Sequence, residues 1–151
     1  MNIIVDTNIV FSAILNSNGK IADILINSGN IFNFIAPNFL RIEIFKHYSK
    51  LVKISGLTLE QILESEYQIY KSITFISEEQ IDKKNWQIAY ELVHDIDPKD
   101  SVYIAYSKQF NCNLWTGDLK LIMGLVKKDY HHFFSTDDLY QIRNKCLFIN
   151  S

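Results

Sequence analysis

The chain has 151 residues, 48% of them hydrophobic and 21% charged, with a formal net charge of −2. This predicts one globular domain over residues 1–151 with a substantial core, and it argues against non-specific, charge-driven nucleic-acid binding while leaving room for a local basic strip. No stretch approaches the roughly 20 apolar residues of a membrane span, the apolar start lacks the cationic segment of a secretion signal, and Cys112 and Cys146 have neither CxxC spacing nor a nearby histidine, so a cytoplasmic protein with reduced thiols is expected.

Ile3-Ile4-Val5 is a β-branched run ending at Asp6, which predicts a short buried strand with a carboxylate at its C-terminal end. Open α/β sheets bind ligands at such ends. Flanked by Ile9-Val10-Phe11 as well, an ionised Asp6 is expensive to desolvate unless it is paired or holds a metal. A helix N-cap over a segment ending at Leu15 is the competing reading. Asn16-Ser17-Asn18-Gly19 breaks that helix, and a second is expected from Lys20 to Ile26. Phe32 to Ala36 reads as the next strand. Pro37 then opens a helix over Asn38 to Val52, with Leu40, Ile44, Tyr48 and Leu51 on its apolar side. Glu43 falls on the polar side beside Lys46, His47 and Lys50, where a solvated acid paired at i+3 or i+4 would account for it.

Thr58-Leu59-Glu60-Gln61 and Ser77-Glu78-Glu79-Gln80 both have the capping-box form, which predicts helices starting at Leu59 and Glu78 around a strand at Ile73 to Ile76. The second of these helices should run through Trp86 to Val93 and end in the acidic turn Asp95 to Asp100. There Asp97 as N-cap, Pro98 at the first helical position and Asp100 in the first turn announce a helix. Val102-Tyr103-Ile104-Ala105-Tyr106 makes it apolar almost all round and therefore buried. Dipole complementation, about 0.3–1 kcal/mol, would by itself account for Asp100. Cys112 to Trp115 repeats the first strand's pattern and ends in Thr116-Gly117-Asp118, ahead of a helix from Leu119 to Val126. A last strand over His131 to Ser135 and a helix from Thr136 complete an α/β alternation.

Asp6, Glu43, Asp100 and Asp118 come from distant positions, and the α/β order could bring them to one sheet edge. Two carboxylates about 4 Å apart repel by roughly 4 kcal/mol at an effective dielectric near 20, so such a cluster requires cations. Oxygen-only ligands favour Mg²⁺ or Mn²⁺ over zinc. A site of this kind hydrolyses phosphodiesters without a nucleophilic side chain, and no Ser-His-Asp or Cys-His arrangement is evident.

Ile4-Val5-Asp6-Thr7-Asn8-Ile9-Val10, Glu43 after the second strand, Asp97-Pro98-Lys99-Asp100 and Thr116-Gly117-Asp118-Leu119 together resemble the PIN-domain family, in order and over essentially the whole chain. The resemblance is closest to the bacterial and archaeal toxin components of toxin–antitoxin systems. It implies a Rossmann-like, three-layer α/β/α domain around a central, mainly parallel sheet, and a ribonuclease that cuts single-stranded RNA with Mg²⁺ or Mn²⁺. By the same resemblance Asp6, Glu43, Asp100 and Asp118 are the metal-binding quartet, Asn8 orients Asp6, and Thr116 is the hydroxyl that precedes the last acid. Asp97 is left as N-cap, outer support or substitute ligand. An antitoxin protein and a second copy of the chain are the implied partners, with no membrane. Lys46, Lys50 and Lys120 are expected to meet RNA phosphates, ordinary surface lysines being the alternative. Two other function classes stay open. An aspartyl-phosphate phosphotransferase of the haloacid-dehalogenase-like kind wants an acid where Asn8 stands, and a non-catalytic RNA- or protein-binding module would not need four intact acids.

Overall fold

The computed structural model describes residues Met1–Ser151. Its elements in order are β1 (Asn2–Val5), α1 (Thr7–Leu15), α2 (Lys20–Asn27), β2 (Asn33–Pro37), α3 (Asn38–Lys46), α4 (Tyr48–Ser55), α5 (Leu59–Tyr70), β3 (Ile73–Ile76), α6 (Lys83–Val93), α7 (Ser101–Phe110), β4 (Asn113–Trp115), α8 (Leu119–Val126), β5 (Phe133–Phe134) and α9 (Thr136–Ile149). Single 3-10 turns at Glu78–Gln80 and Pro98–Asp100 precede α6 and α7.

The five strands form one sheet in the order β3-β2-β1-β4-β5, with every neighbouring pair parallel. β1 lies at its centre, Ile3 pairing with both Phe34 and Asn113 and Ile4 with both Ile35 and Leu114. Side chains of a strand alternate between faces, so β1 feeds two cores. Ile3 and Val5 join Phe34, Ala36 and Trp115 in a cluster with residues of α1, α2, α4 and α5. Ile4 joins Ile35 and Leu114 in a second cluster with α6, α7 and α8. The result is the expected three-layer α/β/α arrangement, with strands buried on both faces and near-continuously apolar. The chain builds from β1 outward through β2 and β3, then returns to the opposite side of β1 for β4. The strand order therefore reverses between β1 and β4, which places a crevice at their C-terminal ends.

Several local expectations change. The helix expected over Asn38 to Val52 is broken at His47, whose backbone (φ −105°, ψ 9°) leaves the helical region. The break turns α4 onto α5, where Leu51 is fully buried and the Tyr48 hydroxyl donates to Glu66 Oε2 at 2.6 Å. The helix expected from Glu78 begins only at Lys83, because buried Ile81 is extended (φ −90°, ψ 127°) and the Asp82 N–H donates to Gln109 Oε1 at 2.9 Å. Glu78 instead accepts the Phe39 N–H at 2.7 Å. It caps α3, whose own N-cap, Pro37, has no side chain able to do so. β2 lies one residue later than expected, β5 has only two residues, and the Thr58 box is present with both reciprocal hydrogen bonds. No single helix is long and apolar enough to cross a membrane, and both cysteines are free thiols.

Candidate active site

The β1–β4 ladder continues one step past the strands. The Asp6 N–H donates to Trp115 O at 3.2 Å, which fixes Asp6 beside Thr116. The Thr116 hydroxyl donates to Asp6 Oδ2 at 2.7 Å and accepts the Asp118 N–H at 3.1 Å. One buried hydroxyl thus ties the two strand-end acids together across the switch point. Asp6 is 4% exposed and also accepts the Asn8 N–H at 3.4 Å, so it caps α1 as well as facing the site. Asn8 therefore steadies Asp6 through its backbone, and its side chain lines the cleft. Asp118 caps α8, accepting the Leu121 N–H at 3.1 Å. The two expectations for Asp6, cap and site residue, describe the same geometry: a helix N-terminus beyond a strand end offers N–H donors that hold the carboxylate in place.

Asp6, Asn8, Glu43, Asp97, Asp100 and Asp118 line one cleft of about 290 Å³. Asp100 sits at the N-cap position of α7 but accepts no capping hydrogen bond, and its buried Oδ2 has no partner. Burial, followed by the nearby negative charge of Asp6, Asp97 and Asp118, raises its pKa to about 7, while Lys120 pulls the other way. Burial also raises Asp6, against the hydrogen bonds from Thr116 and Asn8 and with the charge of Asp118. Glu43 reaches the cleft from α3 with its side chain 16% exposed and Lys46 Nζ at 3.4 Å. Asp97 is exposed, and it caps the 3-10 turn by accepting the Lys99 N–H at 3.0 Å.

Of the expected basic contacts, Lys50 lines the cleft. Lys46 is engaged by Glu43 and does not line it, and Lys120 lies near enough to act on Asp100 without lining it. The cleft also holds residues the sequence reading did not single out as site residues: Thr7, Phe11, Phe39, Lys99 and Tyr103. Tyr103 is 2% exposed and its hydroxyl is hydrogen-bonded to Thr7 Oγ1. Burial pushes that phenol above its ordinary value. Its position three residues after Asp100, one helical turn on, is the signal that could have found it. Phe39 has no comparable local signal.

The donor set suits a hard divalent cation, since it consists of carboxylate oxygens and includes one buried, unpartnered oxygen on Asp100. The carboxylates are nonetheless not gathered into a ready-made cage: no three Asp, Glu, His or Cys side chains stand at metal-binding spacing. Asp6, Asp100 and Asp118 could hold an ion at the sheet edge, with Glu43 approaching from α3.

A family model described as the PIN domain matches residues 4–137. No curated protein matches the chain. Among solved structures, the fold resembles PAE2754 from Pyrobaculum aerophilum, with a TM-score of 0.68 at 12% identity over 96% of this chain and 90% of that one. It also resembles a chain of VapBC2 from Rickettsia felis, solved bound to a DNA fragment from its promoter, with a TM-score of 0.63 at 17% identity over 89% of this chain and 98% of that one. At such identities these two show the likeness of fold. PIN domains are generally nucleases, and with the family model spanning nearly the whole sheet and its acidic edge, this chain belongs to the PIN-domain family.

Proposed function

We propose that the protein is a metal-dependent endoribonuclease acting on single-stranded RNA, a single cytoplasmic domain that serves as the toxin of a toxin–antitoxin pair. The observation that carries the reading is the convergence of Asp6, Glu43, Asp100 and Asp118 on one cleft at the switch point, with a buried Asp100 oxygen left without a partner. When bound, Mg²⁺ or Mn²⁺ supplies the charge neutralisation that hydrolysis of a phosphodiester needs. The chain's own part is to hold the donors. Thr116 and the α1 N-terminus fix Asp6, the α8 N-terminus fixes Asp118, and α3 brings Glu43 to the same cleft. Lys50 and Lys99 bring positive charge to the same cleft for the RNA backbone, and His47 lines it beside them. Family membership supports nuclease chemistry. The fold likeness to a chain of VapBC2, together with the sequence resemblance to toxin components, supports an antitoxin partner, and a homodimer follows from the same resemblance.

The open spacing of the carboxylates favours one alternative, a PIN-like module that binds RNA or protein without cutting. Incubating the purified protein with a mixed single-stranded RNA pool and Mg²⁺ or Mn²⁺, beside EDTA and Asp6→Asn controls, separates the two. Cleavage abolished by both controls is expected. Stoichiometric RNA binding without cleavage in any metal would overturn the enzyme reading in favour of the module.

A further inference from the structure

Beside the acidic cleft lies a second depression of about 350 Å³, walled by the apolar side chains of Phe39, Ile42, Trp86 and Val102. It adjoins the cleft, Phe39 and Lys99 lining both. Phe39 is a fixed partition: its N–H is held by Glu78 and its ring stands edge-on to Tyr103 at 6.4 Å. Trp86 is half-buried on α6 and Ile42 is 53% exposed, so the walls are open to solvent. The chain's other tryptophan, Trp115, is fully buried and donates its indole N–H to Thr136 Oγ1 at 3.1 Å. Trp115 is spent entirely on core packing, whereas Trp86 packs partly against the core of α6, α7 and α8 and also lines the open depression.

Aromatic walls joined by a lysine to a phosphate-binding cleft match the needs of one nucleotide of a single strand. The base stacks on an apolar wall, the backbone meets the cation, and the scissile phosphate lies at the acids. Glu78 lines the same depression with one oxygen taken by Phe39, which leaves the other to accept from an amino or imino group of the base. We propose that this depression is a base-binding subsite for the nucleotide next to the cut phosphate, with Trp86 and Phe39 as its stacking walls. The subsite gives the enzyme a sequence preference on one side of the cut. It rests on the ribonuclease reading above.

The test uses the full chain and an RNA strand with one cut site, and versions of that strand in which the nucleotide on either side of the cut is replaced in turn by an abasic residue. Binding is followed by fluorescence anisotropy in EDTA for the wild type, Trp86→Ala and Trp86→Phe, with thermal midpoints recorded to show that each variant is folded. One abasic strand should bind the wild type about tenfold more weakly than the parent strand. Trp86→Ala should lose a similar factor on the parent strand and nothing more on that abasic strand, and Trp86→Phe should stay within about twofold of the wild type. Equal wild-type affinity for the parent and both abasic strands overturns the subsite whether or not Trp86→Ala folds. So does a Trp86→Ala loss of the same size on every strand. A wild type that cuts RNA but shows either result loses the subsite alone, and a wild type that cuts no RNA loses both readings.

Discussion

Replacing Asp100 by Asn should stabilise the metal-free protein at neutral pH. The Asp100 carboxyl is held near pH 7 in the folded chain against 3.8 for the ordinary group, mainly by burial and then by Asp6, Asp97 and Asp118. About 3 pH units at 1.36 kcal/mol each set an upper limit of roughly 4 kcal/mol, and screening of this incompletely buried group brings the expected figure to about 2 kcal/mol. Because the folded value lies above the unfolded one, the wild type keeps its full stability below about pH 4 and loses this amount as the pH rises through about 7. The Asn variant has no proton to lose and forfeits no cap, since Asp100 accepts no capping bond. In EDTA, urea denaturation should show wild type and Asp100→Asn alike near pH 4, where the folded Asp100 carboxyl is protonated and as uncharged as the amide. Near pH 8 the variant should be ahead by about 2 kcal/mol, a melting-point gain of roughly 4–8 °C for a domain of this size. Mg²⁺ should raise the wild-type midpoint and leave the variant's nearly unchanged. A variant less stable than wild type at pH 8, or a difference that does not vary with pH, would refute the reasoning.

Thr116→Val strips Asp6 Oδ2 and the Asp118 N–H of their shared partner; we expect a loss of about 1–3 kcal/mol in urea denaturation and of roughly 10–100-fold in Mn²⁺ affinity by calorimetric titration. Asp6→Asn should lower RNA cleavage by about 100-fold or more in a gel assay while leaving the circular dichroism spectrum intact. Lys50→Gln should reduce the slope of log affinity against log salt by about 0.7 on single-stranded RNA, whereas Lys46→Gln, outside the cleft, should leave it within error. Glu78→Ala uncaps α3 and should cost about 1 kcal/mol of stability, measured as a shift in the denaturation midpoint.

Much of the fold is legible along the chain because its signals are local. Ile3-Ile4-Val5 and Leu114-Trp115 are short apolar runs that only a doubly covered strand can bury, and the Thr58 box names its helix start from two side chains three residues apart. The break at His47 and the late start of α6 were not legible. Each is settled by a residue far away in sequence: Glu66 takes the Tyr48 hydroxyl, and Gln109 takes the Asp82 N–H. Ser77-Glu78-Glu79-Gln80 reads as a capping box and yields a single 3-10 turn, because Glu78 is committed to Phe39 on α3.

The candidate site divides in the same way. Asp6 and Asp118 are marked by the sequence itself, since an acid closing an apolar strand has few other reasons to be there. That Thr116 bridges them at 2.7 and 3.1 Å, that Asp100 keeps a buried oxygen unpartnered, and that Tyr103, Phe39 and Lys99 share the cleft depend on which strand lies next to β1. Local apolar patterning determined the strands, most helices and the acids at their ends. Only the β3-β2-β1-β4-β5 order decided what those acids face, because parallel neighbours are joined through long crossovers and no short-range pattern fixes which strand a crossover returns to.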